Sequence, residues 1–247
     1  MAPAPPAFTL RRLLPEAEAG PVDARALYAG VDFAALAPDD RPYVVVNMIL
    51  SADGHATHEG QSGGLAKDRS DRTVFLALRE QVDAVLAGTG TIGAEGYRRL
   101  IPEPERRERR AANGLAPDPL AVIMSRSGNL PDAPLLTDPE QPRAVYAGDE
   151  ADPLAAMRDL RTRHGIRSLL CEGGPALNRA LLAAGVVDEY LLSFSPLLVG
   201  GAGAPAVAGN PLDEAVSMDL MSMSEYLGTL FLRYRIAPPS GRLPAHG

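Results

Sequence analysis

Two glycine turns, each placed directly after a short apolar segment, constrain the fold of this chain more than any other feature. Residues 166–170 lead into Cys-Glu-Gly-Gly-Pro-Ala-Leu-Asn at 171–178, and residues 85–87 lead into Gly-Thr-Gly-Thr at 88–91. The first pattern is typical of a strand that enters a turn and then a helix with Pro175 in its first turn. Backbone N–H groups at such a helix start favour a phosphate. Two such turns indicate a nucleotide clamp.

The wider pattern predicts that strands alternate with helices. Strands are predicted at residues 43–50, 84–87, 120–124, 143–146, 166–171, 187–195 and 226–236. Helices are predicted at residues 68–82, 154–163 and 175–184. The Glu- and Arg-rich residues 97–118 are predicted to form an exposed loop with a possible helical turn. This order predicts an α/β fold with a mostly parallel central sheet, an antiparallel C-terminal edge and helices on both faces.

The domain organisation follows from length and composition. The chain has 247 residues and is 46% hydrophobic, which is typical of a globular protein with a sizeable core. We expect one main domain over residues 41–237, since no linker interrupts it. The Pro- and Ala-rich residues 1–40 predict a loosely ordered N-terminal arm with a short helix near 23–29, and residues 238–247 predict a flexible tail.

Charge and residue usage exclude several function classes. The net charge of −7 argues against a nucleic-acid-binding surface. No apolar run is long enough for a membrane span, and the N-terminus lacks the order of a signal peptide, so a cytoplasmic protein is expected. The single cysteine, Cys171, forms no intramolecular disulfide and is expected to be a small buried side chain. His55 and His58 lack further ligands nearby, so no metal site is expected.

Polar residues at the predicted strand ends are the candidate site, because ligands of open α/β sheets gather at that edge. These residues are Asp53, Thr89, Thr91, Ser125 and Glu172. Taken alone, Asp53 is more typical of a turn residue that accepts local N–H groups, whereas Glu172 fits equally a brace for its turn or a ligand for a hydroxyl group. The Ser-Arg-Ser segment at 125–127 fits either a 2′-phosphate site or an ordinary polar turn.

As an ordered set, these motifs resemble the pyrimidine reductases of riboflavin biosynthesis. The motifs are Asn47, Ser51-Ala52-Asp53-Gly54, Leu78-Arg79, Gly88-Thr89-Gly90-Thr91, Ser125, Glu172-Gly173-Gly174-Pro175 and Val187-Asp188-Glu189. The resemblance covers roughly residues 42–236. It implies a dihydrofolate-reductase-like fold, NADPH as cofactor, a small-molecule substrate and a homodimer. In bacteria this domain is usually the C-terminal part of a bifunctional deaminase–reductase.

The resemblance also implies roles for individual residues. From the resemblance together with the glycine turns and the Ser-Arg-Ser segment, the predicted cofactor-binding residues are Leu50, Leu65, Gly88, Thr89, Gly90, Thr91, Glu95, Ser125, Arg126, Gly173, Gly174, Pro175, Ala176 and Leu177. The implied substrate-binding residues are Gly63, Arg79, Arg98, Arg99 and Glu172. Asp53 is expected to act catalytically, beside the contact between nicotinamide and substrate.

Two departures from the family pattern concern the substrate. The deaminase half with its zinc motif has no counterpart in these residues. Residues 94–99 read Ala-Glu-Gly-Tyr-Arg-Arg where the reductases usually have Ala-Asp-Asp-Pro followed by an arginine, so Arg98 or Arg99 is expected to hold the phosphoribityl end of the substrate.

The implied reaction is hydride transfer from NADPH to the ribosyl C1 of an aminopyrimidine ribosyl phosphate. The alternatives are a reductase of the same fold that acts on dihydrofolate or a pterin, and a nucleotide-binding protein without catalysis. The sequence identifies no proton donor.

Overall fold

A single sheet runs through the described part of the chain, which is residues 8–66 and 68–237 of a computed structural model. Its strands are β1 (Thr9–Leu14), β2 (Gly20–Asp23), β3 (Tyr43–Ser51), β4 (Ala84–Gly88), β5 (Leu120–Ser125), β6 (Arg143–Ala147), β7 (Ser168–Cys171), β8 (Glu189–Ser195), β9 (Met218–Tyr226) and β10 (Thr229–Ile236). The helices are α1 (Ser70–Arg79), α2 (Thr89–Glu95), α3 (Pro104–Ala112), α4 (Pro134–Thr137), α5 (Pro153–Arg163) and α6 (Pro175–Ala183).

The sheet has a parallel half and an antiparallel half. Its strand order is β2-β1-β9-β10-β8-β3-β7-β4-β5-β6. Every pairing from β8 to β6 is parallel, and every pairing from β8 to β2 is antiparallel. The predicted fold class, a mostly parallel sheet with an antiparallel edge, is therefore confirmed.

Helices cover both faces of the parallel half, as predicted. On one face, Val74 and Leu78 of α1 pack into an apolar cluster with alternate residues of the central strands. On the other face, Met157 and Leu160 of α5 and Leu181 of α6 join a second cluster. Burial on both faces explains why the central strands read as continuous apolar runs in the sequence.

The N-terminal segment differs from its prediction. Residues 9–23 form β1 and β2, and β1 pairs with β9, so this part of the expected loose arm belongs to the sheet. Leu10 is 1% exposed in the core. The prediction is wrong here because pairing with a strand about 200 residues away leaves no local periodicity. The expected helix near 23–29 is a single 3₁₀ turn at Ala24–Ala26. Residues 1–7 and the expected tail at 238–247 lie outside the described residues.

The C-terminal strand is shorter than predicted and pairs with a preceding strand that the sequence did not predict. Residues 226–236 were predicted as one strand, whereas the structure has a hairpin of β9 and β10 joined at Leu227 and Gly228, both with positive φ. Such left-handed conformations are what tight hairpin turns need. β9 escapes prediction because its Met and Ser residues lack a β-branched run.

The Glu- and Arg-rich segment is partly helical and partly buried. Residues 104–112 form α3, a nine-residue helix, where the sequence predicted an exposed loop with no more than a helical turn. Arg110 of α3 is fully buried, and its guanidinium donates to the carbonyl oxygens of Arg79 and Val82 at 2.6 and 2.7 Å. Burial lowers the pKa of Arg110 to about 10. The arginine therefore caps the end of α1 instead of facing solvent.

Three further observations concern membrane-spanning helices, metal sites and the single cysteine. Among the helices of the described residues, none combines the length and hydropathy needed to cross a membrane. Within the same residues, His, Cys, Asp and Glu side chains do not gather in threes around a possible metal position. Cys171 is fully buried, as predicted, and burial raises the pKa of its thiol to about 12.

Candidate active site

The two glycine turns meet at one edge of the sheet. Strands β7 and β4 are neighbours, and the N–H of Gly88 donates to the carbonyl oxygen of Gly173 at 2.9 Å. The N–H of Glu172 donates to the carbonyl oxygen of Leu86, also at 2.9 Å. The turns that the sequence predicted as a clamp are thus hydrogen-bonded side by side.

A cavity of about 590 Å³ opens at this edge. Its floor includes Asn47, Met48 and Ile49 of β3, and one face of α1 forms a wall. Nine of the sequence-predicted site residues line it: Gly63, Arg79, Thr91, Glu95, Arg98, Arg99, Glu172, Gly174 and Pro175. Residues from both predicted groups, cofactor-binding and substrate-binding, therefore share one cavity.

Glu172 is held by two partners at the floor of this cavity. Arg79 donates to it through Nε and Nη2, at 2.7 Å each, and the Tyr97 hydroxyl donates at 2.6 Å. The side chain of Glu172 is only 2% exposed. A carboxylate offers about four acceptor positions, so these three bonds leave one for a ligand.

The side chains around Glu172 keep fixed protonation states. Burial disfavours the charged form of Arg79, but the charge of Glu172 outweighs it, and the pKa of Arg79 is raised. Burial and the charge of Glu172 raise the pKa of Tyr97 well above its ordinary value. The Arg79 guanidinium also lies over the Phe75 ring, 4.4 Å from its centroid. Arg79 therefore holds Glu172 in position, and these contacts leave it little capacity to bind a substrate.

The Gly173-Gly174 turn forms a tight cradle beside the cavity. A Cβ atom at Gly174 would lie 2.8 Å from Oγ1 of Thr91, and one at Gly173 would lie 2.9 Å from Sδ of Met48. Gly173 also has a φ of +85°, which favours glycine. Only a turn without side chains fits here.

The start of α6 suits an anionic group. The first intrahelical bond runs from the N–H of Asn178 to the carbonyl oxygen of Gly174, so the N–H groups of Ala176 and Leu177 lie in the unpaired first turn. The turn residues Gly174 and Pro175 line the cavity. Together with the cradle, this arrangement fits a dinucleotide diphosphate.

The two candidate arginines for the phosphoribityl end have different environments. Arg99 donates to both oxygens of Asp118, at 3.0 and 2.7 Å, and also bonds Glu140. Its charge is therefore already paired, and the prediction that it grips substrate is not supported. Arg98 is exposed at the cavity and has no ion pair with any residue that the structure describes.

Asp53 holds a loop rather than lining the cavity. Its carboxylate accepts bonds from the Ser51 hydroxyl at 2.6 Å and from the N–H groups of Val199 and Gly200 at 3.2 and 2.7 Å. The hydrogen bonds from Ser51 and Gly200 hold the pKa of Asp53 well below its ordinary value. These contacts match the alternative of a turn residue, and the structure gives no support to the predicted catalytic role.

Other predicted residues also lie away from the cavity lining. Leu50 and Leu65 are buried, and the buried Ser125 hydroxyl donates to the carbonyl oxygen of Asn129 at 2.7 Å. Arg126 is exposed just after β5. The remaining predicted residues belong to the two turns beside the cavity: Gly88, Thr89, Gly90, Gly173, Ala176 and Leu177.

Sequence reasoning assigned no role to several lining residues. Asp71, Arg72, Phe75 and Tyr97 all line the cavity. The first three lie on one face of α1 with Arg79, at helical spacing. The charged residues on that face, Asp71, Arg72 and Arg79, were the sequence feature that could have indicated their place in the site.

A comparison with models of protein families identifies the family of this chain. A family model described as the RibD C-terminal domain matches residues 42–231. This chain belongs to the RibD C-terminal domain family. The matched range contains every residue that lines the cavity.

Curated relatives of this RibD-family chain carry two kinds of name. A protein of Archaeoglobus fulgidus, named 2,5-diamino-6-ribosylamino-4(3H)-pyrimidinone 5′-phosphate reductase, is 30% identical over 188 residues, covering 68% of this chain and 86% of that protein. The riboflavin biosynthesis protein RibD of Mycobacterium tuberculosis is 30% identical over 161 residues, covering 65% of this chain and 44% of that longer protein.

Solved structures of similar proteins show the same fold. A pyrimidine reductase-like protein of Corynebacterium diphtheriae superposes with a TM-score of 0.72 at 21% identity, covering 88% of this chain and 100% of that one. A deaminase/reductase of Thermotoga maritima gives a TM-score of 0.60 at 17% identity, covering 80% of this chain and 57% of that one. The dihydrofolate-reductase-like fold is thereby confirmed.

Proposed function

We propose that this chain is an NADPH-dependent reductase that acts on the ribosyl C1 of an aminopyrimidine ribosyl phosphate. The observation that carries the proposal is the cavity in which Glu172, held by Arg79, lies beside the glycine cradle at the start of α6. The names of the curated relatives support the same reaction class.

The charge distribution around the cavity supports a phosphorylated substrate. Arg69, Arg72 and Arg98 are exposed, line the cavity and form no ion pair within the described residues. Guanidinium groups bind phosphate oxygens through planar pairs of N–H donors. Three guanidinium groups without an ion-pair partner among the described residues therefore line the cavity of a chain whose net charge is −7.

The residues of this chain bind and orient the reactants. The remaining acceptor position of Glu172 would take an N–H or O–H group of the substrate, and the Gly174 turn with the first N–H groups of α6 would hold the dinucleotide diphosphate. The reduced dinucleotide supplies the hydride when bound. Alignment of donor and acceptor by a rigid cavity is the main contribution of the protein.

The test is NADPH oxidation followed by absorbance, with three substrates in parallel. We expect turnover with the aminopyrimidine ribosyl phosphate and none with dihydrofolate or a simple pterin. Turnover of dihydrofolate alone would assign the alternative substrate. Tight NADPH binding without turnover of any substrate, or no NADPH binding at all, would overturn the proposal.

A homodimer is a further part of the proposal. Met218 and Leu220 of β9 are 40% and 42% exposed, so the antiparallel half of the sheet presents apolar side chains to solvent. Light scattering of the purified chain would measure the mass of the assembly, and a monomer at all concentrations would contradict this part.

A further inference from the structure

The proposed reduction needs a proton as well as a hydride. Opening of the ribosyl ring gives a C=N bond at C1, and hydride addition to that carbon pushes the C=N electron pair onto nitrogen. The nitrogen then needs a proton. Glu172 does not fit this role, because its oxygens already accept hydrogen bonds from Arg79 and Tyr97.

Asp71 lies at the opposite end of the same cavity wall. It lies in the first turn of α1, and Arg79 lies in the last turn, so about 12 Å of helix axis separates the two. Both side chains line the cavity. A substrate that reaches Glu172 at one end can therefore present its ribosyl group to Asp71 at the other.

The surroundings of Asp71 favour its protonated form. Burial raises the pKa of its carboxyl group, and the neighbouring charge of Asp68 adds to the effect, while a hydrogen bond with Ser193 on β8 opposes it. Burial raises the pKa of the Tyr28 phenol in the N-terminal segment, and the charge of Asp71 adds to that effect. No ion pair with Asp71 is found in the described part of the chain.

Two arginines lie nearby, Arg69 directly before α1 and Arg72 within it. Arg69 and Arg72 line the same cavity and are exposed. Their guanidinium groups are not among the causes that move the pKa of Asp71. The carboxyl group of Asp71 is thus electrostatically separate from these two guanidinium groups.

We propose that Asp71 is the general acid of this reductase. This inference rests on the proposed function. The hydride forms the new C1–H bond, the C=N electron pair takes the proton of Asp71 to form the amine N–H, and the carboxylate left behind regains a proton from water at the cavity mouth. A positioned acid of this kind accelerates reactions by about 10²–10⁴-fold.

The first test needs no substrate or dinucleotide. Infrared difference spectra of the free protein at neutral pH should show a carboxylic acid C=O band that is lost in Asp71→Asn. Asp149→Asn removes an exposed carboxylate outside the cavity and is the matched control, so its spectrum should keep the band. Loss of no band in Asp71→Asn would overturn the proposal.

The second test uses kinetics. Asp71→Asn should lower kcat by about 100-fold while NADPH still binds with wild-type affinity, and Asp71→Glu should restore part of the rate. A kcat within threefold of wild type in Asp71→Asn would overturn the proposal.

A second variant keeps the test decisive if Asp71→Asn fails to fold. Ser193→Ala removes the hydrogen bond that lowers the pKa of Asp71, so the alkaline limb of the kcat profile should move to higher pH. An unmoved limb would contradict the assignment. A wild-type protein that reduces no aminopyrimidine substrate would instead refute the proposed function, while the infrared result would still report on Asp71.

Discussion

The Glu172 carboxylate and the Arg79 guanidinium lie face to face, joined by two hydrogen bonds of 2.7 Å, although 93 residues separate them in the sequence. The pair fastens the end of β7 to the end of α1. It thereby fixes the floor of the cavity relative to its wall, and the glycine turn follows directly from Glu172.

Breaking this pair should destabilise the protein strongly. In Glu172→Gln the buried Arg79 loses its counter-charge, so the free energy of unfolding should fall by about 3 kcal/mol. Urea unfolding measures the change. Glu140→Gln, which removes the exposed partner of Arg99, is the matched control and should change stability by less than about 0.5 kcal/mol. Similar losses in both variants would contradict the assigned role.

A methyl group in the glycine cradle should impair dinucleotide binding. Gly174→Ala places a Cβ atom 2.8 Å from Oγ1 of Thr91, so the turn must shift away from the cavity. The Kd for NADPH should rise by about tenfold or more, which corresponds to about 1.4 kcal/mol. Fluorescence titration is the measurement. Gly30→Ala meets open space and should leave the Kd unchanged, and an unchanged Kd in Gly174→Ala would refute the cradle.

Arg126 should discriminate between the two nicotinamide dinucleotides. If its guanidinium binds the 2′-phosphate, Arg126→Ala should weaken NADPH binding by about tenfold, as expected for one charged hydrogen bond of about 1.5 kcal/mol. NADH binding should barely change. Arg11→Ala, on β1 in the antiparallel half of the sheet, serves as the control for a general loss of positive charge. Equal weakening of both dinucleotides would exclude this role.

Asp53 should stabilise the 199–200 loop in a pH-dependent way. Its folded-state pKa is depressed, so its contribution is present above the ordinary carboxyl pKa of about 4 and is lost as pH falls towards the folded value. Asp53→Asn should therefore lower Tm at pH 7, and the difference from wild type should shrink in acid. Hydrogen exchange of the Gly200 amide should quicken in parallel. A Tm difference that is independent of pH would contradict this account.

Arg110 should matter more than its neighbours in α3. Arg110→Ala leaves the buried carbonyl oxygens of Arg79 and Val82 without their donor, which should lower the free energy of unfolding by about 3 kcal/mol. Arg109→Ala removes an exposed arginine of the same helix and should cost less than about 1 kcal/mol. Thermal or urea unfolding of the two variants tests the contrast, and equal losses would show that burial of Arg110 contributes nothing.

The sequence by itself predicted the parallel half of the sheet and the position of the site. Apolar runs, helical periodicity and glycine turns are local patterns, and the carboxyl ends of neighbouring parallel strands must share an edge. The sequence alone therefore placed Glu172, Thr91 and the Gly174 turn at one edge of the sheet, where the structure has the cavity.

Only the tertiary structure decided which polar side chains are free and which are already paired. Arg98 and Arg99 are neighbours in the sequence and no local pattern distinguishes them. Only Arg99 forms ion pairs with Asp118 and Glu140 in the described residues. Asp53 and Asp71 are both carboxylates near an element end, yet one holds a loop and the other lines the cavity. The physical reason is that partners distant in sequence are chosen by strand order and helix packing, which no local pattern records.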